Sequence, residues 1–358
     1  MAVFSFRNLG GKERDCLAVG RFLKERGHEV IIITTSVASL VLDPIVKLVS
    51  PSGLSNHVRM RNFAKAVSCY VETAEADVVL AFDQIPNADF YYAANASFAS
   101  RKQSWRSWMP RHLTYLSLER SVFGKSSLTQ AFFLTERQRR EYTEIYNFEV
   151  SRATVLPVVI HDEHYLAAEN TVERSQTRRQ LGLSDEAIVA ISVAVKPLPK
   201  GVDRTLAALV DHRDLNLIVV GSSDSWIEKR ARKLNVESRV RILPYISNVM
   251  NLMRAADFLA HPARVEAGGQ VILEALLAGT PAIVSDICGY SSEVARSGAG
   301  IVLSAAFDQN EYSDAISTVT KALPAMQNAA MEVSALHMAQ RGRWISTIAE
   351  KIEATSQI

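Results

Sequence analysis

Apolar positions along this chain fall into two patterns, short continuous runs and longer stretches with helical spacing. The continuous runs lie at 2–6, 28–35, 77–82, 90–95, 154–160, 187–195, 217–221, 240–243 and 281–285, and a further run closes at Phe258-Leu259-Ala260. Several are β-branched and none alternates with polar residues, which predicts strands of parallel sheets covered on both faces. Helical spacing is clearest at 12–26, stopped by Gly27, and at 270–278, stopped by Gly279 and barred from continuing by Pro281. A last helix is predicted over about 333–354, with Leu336, Trp344, Ile345, Ile348 and Ile352. Strand, Gly10-Gly11 loop, helix, strand is the opening of a doubly wound α/β domain, whose loops at strand C-termini bind ligands.

The stretch from His261 to Val294 organises the rest: a strand end broken by His261-Pro262, a glycine loop, a helix and another strand. Gly268-Gly269 opens the helix, so backbone N–H groups stand there without side chains, the arrangement that accepts phosphate. Glu266 precedes the helix and Glu274 lies within it. Eight helical residues span about 12 Å, roughly the distance from a sugar to a ribose across a diphosphate. Val271, Ile272, Leu273, Ala275, Leu276 and Leu277 make the helix apolar almost all round, so Glu274 is expected to be buried and to need partners or a ligand. Glu266 taken alone reads equally as a solvated loop residue.

Length and composition narrow the classes. The 358 residues suffice for two domains with a core each, and 48% hydrophobic with 22% charged residues is a globular balance. Three scattered cysteines, Cys16, Cys69 and Cys288, fit a reducing cytosol. No opening segment reads as a signal peptide, and no apolar run has the length of a membrane span. The net charge of +2 argues against a nucleic-acid binder, but its distribution is uneven. Residues 1–160 carry 20 Lys/Arg against 15 Asp/Glu, and the remainder 20 against 23.

That surplus concentrates between Ser97 and Ser127, where Arg101, Lys102, Arg106, Arg111, Arg120 and Lys125 face one acid, Glu119. Trp105, Trp108, Tyr115 and Phe123 are interleaved. Basic residues with Trp on an amphipathic helix are the composition of a membrane-surface element, with Arg101, Lys102, Trp105, Arg106, Trp108 and Arg111 as the contact. The same composition suits a solvated helix with two Trp in the domain core. Nucleic acid is disfavoured, since no binding motif accompanies the patch.

The spacing E-x7-E after H-P, followed by E-A-x-x-x-G-x-P, resembles the signature of retaining GT-B glycosyltransferases that use nucleotide sugars. GGKERD followed by RGHEV is similar to the opening of many members. AFDQIPNADFYYAANASFA, LERSVFGKSS, FFLTERQ, KGVDR and CGY extend the likeness over nearly the whole chain, toward the lipopolysaccharide core glucosyltransferase I family, whose members are peripheral to the inner membrane. The resemblance implies two Rossmann-like domains facing a central cleft: 1–157 for the acceptor, 158–334 for the nucleotide sugar, and a C-terminal helix, 335–358, packed back on the first. It implies that Glu274 holds the ribose hydroxyls, that Glu266 lies beside the donor sugar, and that Gly268 and Gly269 meet sugar and phosphate. Gly11 would face the diphosphate, Lys200 would offset its charge, and Tyr245 and Ile246 would hold the base. Asp15, in the first turn of its helix, would suit the helix dipole or an acceptor hydroxyl, and it joins Glu266 and Lys200 as the catalytic candidates. Asn95 stands where the family normally has Asp, and Pro199 stands where an Arg usually accompanies the Lys.

The expected activity is transfer of glucose from UDP-glucose, with retention, to a heptose of the lipopolysaccharide inner core at the cytoplasmic membrane face. Partners are then a UDP-sugar, that acceptor and an anionic membrane surface, without nucleic acid. No cofactor and no metal are expected: no DxD motif is placed to bind one, and neither His161 nor His261 has a partner at ligand spacing. Another donor or acceptor, a non-catalytic sugar-binding relative and a nucleotide-sugar epimerase are the other readings.

Overall fold

The computed structural model describes all residues except 7–10, 38–44, 74–75, 101–107, 170–171, 247–248, 267 and 357–358. The chain divides into two units, Met1–Pro157 with Arg343–Ile358, and Val158–Gly342.

The first unit carries β1 (Ile31–Thr34), β2 (Ile45–Leu48), β3 (Leu80–Ala81), β4 (Phe90–Ala93), β5 (Gln130–Phe133) and β6 (Ala153–Val155). β1 pairs with β2, and β3 to β6 form a parallel ladder in chain order. Residues 2–6, expected as a strand, form only isolated bridges, yet they stitch the two pieces together. The Ala2 N–H donates to Leu80 O at 3.0 Å, and the Val3 N–H donates to Ile33 O at 3.1 Å. With that segment as the first strand, the order is the doubly wound one, reversing between residues 2–6 and β3. The run 154–160 ends as a strand at Val155, because Pro157 has no N–H to continue the ladder.

The second unit is one parallel sheet of β7 (Ile188–Val193), β8 (Leu215–Val220), β9 (Val240–Leu243), β10 (Phe258–His261), β11 (Ala282–Ser285) and β12 (Gly300–Leu303). Its order, β12-β11-β10-β7-β8-β9, reverses between β7 and β10. Successive residues serve opposite cores. Val189, Ile191, Ile218, Val220 and Leu259 pack on one face, and Ala190, Leu217, Val219, Phe258 and Ala260 on the other. Burial on both faces explains why these strands read as unbroken apolar runs. Arg178, fully buried, ties the sheet's lower edge: it donates to Ala255 O, Ser184 O, Asp185 O and Ala187 O and pairs with Asp257 at 2.9 Å.

Two expectations change. The single helix of 333–354 is two, Leu323–Ala339 and Arg343–Ser356, broken at Gly342, whose φ of 74° is the left-handed region that ends helices. The chain therefore returns to the first unit at 342/343, where Trp344, Ile348, Ala349 and Ile352 are buried. In the basic segment the helix is Pro110–Phe123, begun by Pro110 at a position that needs no N–H. Arg101, Lys102, Trp105 and Arg106 lie outside the described residues. Trp108 is 83% exposed, so it does not join the core as the solvated-helix alternative required, and Arg111 is exposed beside it.

Candidate active site

In a doubly wound sheet, the loops on either side of the order reversal diverge and leave a crevice at the strand C-termini. In the second unit those loops follow β7 and β10, and they bring Lys200 and Glu266 together. Lys200 Nζ lies 2.5 Å from Glu266 Oε2, and His261 Nε2 lies 3.1 Å from the same oxygen. Burial alone would push the Glu266 carboxyl up. The His261 hydrogen bond and the Lys200 charge overcome it and hold the group at about 2. Glu266 is thus a partly buried carboxylate held in its ionised form near neutral pH, not the solvated loop residue of the alternative reading.

Backbone geometry makes the approach possible. Gly201, with φ of 79°, precedes the helix Val202–Ala208, and a Cβ there would sit 2.1 Å from Pro262 O. Only glycine lets the two loops touch at that point. Arg204 Nη1 donates to Pro262 O at 2.8 Å, and the Arg264 N–H donates to Pro199 O at 2.8 Å. The Arg264 side chain forks onto Asp203 at 2.7 and 2.8 Å. Pro199, read from sequence as a missing Arg, supplies a carbonyl that fastens one loop to the other.

Gly269, at φ of 89°, is the N-cap of the helix Gln270–Leu277. Its Cβ would meet Ile272 Cδ1 at 2.9 Å and Glu266 Cγ at 3.4 Å, so the helix start and Glu266 are packed against one another. Gly268 lies beside Tyr290, whose N–H donates to Gly268 O at 3.0 Å. The helix is not buried all round as expected. Ile272, Leu273, Ala275, Leu276 and Leu277 are buried, whereas Gln270, Val271, Glu274 and Ala278 form one half-open stripe. Glu274 lies on that stripe, with Oε1 3.7 Å from His164 Nε2 of the helix Asp162–Glu169. Beyond β9, Tyr245 is 73% exposed and Ile246 half-buried.

The first unit has its own cluster at its own reversal. Lys12 Nζ pairs with Asp83 Oδ1 at 2.7 Å, and Asp83 Oδ2 accepts from the Phe4 N–H at 2.8 Å. Asp15 is buried and accepts from Tyr92 Oη at 2.9 Å. The helix Gly11–Glu25 starts one residue earlier than expected, so its first-turn acid is Glu13 and Asp15 falls just beyond. Asn95 is exposed, and its carbonyl accepts from Gln138 Nε2 at 3.0 Å and Tyr142 Oη at 3.3 Å. Lys12, Asp83 and Tyr92 were not singled out from sequence; Asp83 closing an apolar run was the signal available. His164 also escaped, because its neighbour Glu274 lies on another helix, and His261, weighed from sequence only as a metal ligand, instead meets Glu266 five residues on in the loop that follows its strand. Among the described residues no group of three or more His, Cys, Asp or Glu is disposed to hold a metal ion.

Comparison with known proteins adds identity to this geometry. Residues 173–330 match the family model for glycosyl transferases group 1. The lipopolysaccharide glucosyltransferase WaaG of Escherichia coli K12 is 27% identical over 331 residues, 88% of this chain and 87% of that protein. The crystal structure of WaaG, a glycosyltransferase involved in lipopolysaccharide biosynthesis, matches with a TM-score of 0.84 at 26% identity, over 98% of both chains. Anabaena Alr3699/HepE, solved in complex with UDP-glucose, shares the fold, with a TM-score of 0.73 at 17% identity over 100% of both chains. The group 1 match, residues 173–330, contains the Lys200–Glu266 cluster, the likeness to WaaG runs nearly end to end in sequence and structure, and the chain is therefore a glycosyltransferase with the GT-B fold.

Proposed function

We propose that this glycosyltransferase moves glucose from UDP-glucose, with retention of configuration, onto a heptose of the lipopolysaccharide inner core. The observation that carries the reading is the meeting of Lys200 and Glu266 at the reversal of the second sheet, beside a helix that starts on two glycines. When the bond from the anomeric carbon to the diphosphate oxygen breaks, positive charge grows on the sugar ring and negative charge on the leaving diphosphate. Glu266, ionised at any working pH, answers the first. Lys200 and the backbone N–H groups at Gly268 and Gly269 answer the second. Both charges are met by protein groups, so the reaction as read needs no metal.

Glu274 then holds the ribose hydroxyls from the open stripe of its helix, and Tyr245 and Ile246 the base. In the first unit Gly11 faces the diphosphate, while Asp15 and Asn95 belong to the acceptor side. The description of WaaG as a lipopolysaccharide glucosyltransferase supports both glucose and the acceptor class. A lipid-linked acceptor lies at the inner face of the cytoplasmic membrane. The reading therefore makes the enzyme cytoplasmic and peripheral, with the segment around Trp108 and Arg111 at the bilayer surface.

The test is UDP release and product formation with UDP-glucose and a lipopolysaccharide core acceptor, with the anomeric configuration read by NMR. Glu266→Gln should lower kcat by about 100-fold or more. Glu274→Gln should chiefly raise KM for the donor. Near-normal turnover in Glu266→Gln removes Glu266 from the chemistry, and an inverted product removes retention.

A further inference from the structure

Two donors converge on one oxygen of Glu266, and they differ in how firmly they are held. Lys200 reaches it on a four-carbon stem, with a side chain 27% exposed and an ammonium that can turn. His261 reaches it from the end of β10, where its backbone is in register with Val284 of β11 and its side chain is 2% exposed. The Ala263 N–H donates to His261 O at 2.8 Å, which tightens the turn that leads on to Glu266. Against the burial that would raise it, the charged and titratable groups that hold the Glu266 pKa low are His261 and Lys200.

A diphosphate arriving at the helix start competes for Lys200, because phosphate oxygens attract an ammonium at least as strongly as a carboxylate does. The imidazole cannot follow, since it is walled in by the sheet. Once Lys200 turns to the phosphate, burial would favour a protonated or displaced Glu266 unless a second donor remains. We propose that His261 is the positioning residue of the transfer reaction: its Nε2–H holds the Glu266 carboxylate in direction and charge while Lys200 serves the diphosphate. This rests on the roles of Glu266 and Lys200 proposed above.

The experiment compares His261→Phe, which keeps a buried ring without a donor, with His261→Gln, whose amide N–H reaches about as far as Nε2. Glu266→Gln is measured beside them with UDP-glucose and the core acceptor. His261→Phe should lower kcat about 10- to 100-fold with little change in the donor KM, the range for losing one hydrogen bond to a charged group. Its kcat should also gain an acid limb, falling as pH is lowered, because Glu266 now titrates higher. His261→Gln should recover most of the rate. Full activity in His261→Phe, or equal loss in Phe and Gln variants of unchanged melting temperature, overturns the positioning role while leaving the proposed function standing. Unimpaired Glu266→Gln overturns the parent reading instead. A readout without turnover completes the test: in crystals of His261→Phe with UDP, Glu266 should leave its wild-type position. A carboxylate that stays in place overturns the proposal even if UDP-glucose is not the donor.

Discussion

At the scale of single residues, Glu266 decides the character of the site. A carboxylate in a loop is ordinarily solvated, and what changes it here is a contact set drawn from three segments: Lys200 after β7, His261 at the end of β10 and Gly269 at the helix cap. The same contacts make a statement about stability. The folded value of about 2 lies below the ordinary 4.5, so ionised Glu266 stabilises the fold at every pH above about 4.5. That contribution drains away as pH falls from there toward about 2. Wild type should therefore be more stable than Glu266→Gln at pH 7, and the gap should narrow steadily on going to pH 4 and below. Urea midpoints across that range measure it, and a gap independent of pH would mean that the charge is not what the contacts recognise.

Among the elements, the helix Arg343–Ser356 shows most clearly how pattern becomes placement. Trp344, Ile348, Ala349 and Ile352 fall on one helical stripe and are buried in the first unit, although nearly two hundred residues of the second unit lie between them and Pro157. Arg26 forks onto Glu353 at 2.7 Å through both Nε and Nη2, and His28 reaches Glu353 Oε1 at 3.0 Å. The Arg26 contacts are exposed and the His28 contact is only part-buried, so they orient the helix more than they stabilise it. The apolar stripe carries the energy. Ile348→Ala should cost about 2–5 kcal/mol, felt by the first unit. Hydrogen exchange should show the loss in β1 and β3 and leave β7 to β11 protected as before; equal loss in both units would contradict the division.

On the scale of the whole molecule, the two units repeat one design, a parallel sheet whose strand order reverses and gathers charged groups at the reversal. Lys12 with Asp83 in the first unit corresponds to Lys200 with Glu266 in the second. On the reading proposed above, the positive surplus of the first 160 residues serves a membrane surface. Around the exposed Trp108 and Arg111, Met109 and Leu113 are also exposed, an apolar and basic surface that the unit does not cover itself. Each Lys or Arg near an anionic surface contributes about 1 kcal/mol, screened by salt. Replacing Arg101, Lys102, Arg106 and Arg111 with Gln should abolish sedimentation with anionic vesicles and leave UDP-glucose binding intact. Neutral vesicles should bind poorly even in wild type. Equal binding of both proteins to anionic vesicles would place the membrane contact elsewhere.

By itself the sequence determined what depends on near neighbours. Unbroken apolar runs became strands covered on both faces, since a strand packed on two sides favours an apolar residue at nearly every position. Gly27 and Gly279 ended helices where they were expected to, and the spacing from Glu266 to Glu274 with its two glycines was legible because it lies within one loop and one helix. Where a break depended on a single left-handed residue inside a long helical pattern, as at Gly342, periodicity ran past it. Tertiary structure alone decided the rest. Lys200 meets Glu266 and His261 because β7 and β10 are adjacent in the sheet, and strand order is set by packing across the whole unit, not by any local run. Glu274 is largely buried beside His164 as its apolar helical neighbours implied, but the half-buried stripe it shares with Gln270, Val271 and Ala278 was not legible from them. Which face of an apolar helix is covered depends on what packs against it, and that information lies elsewhere in the chain.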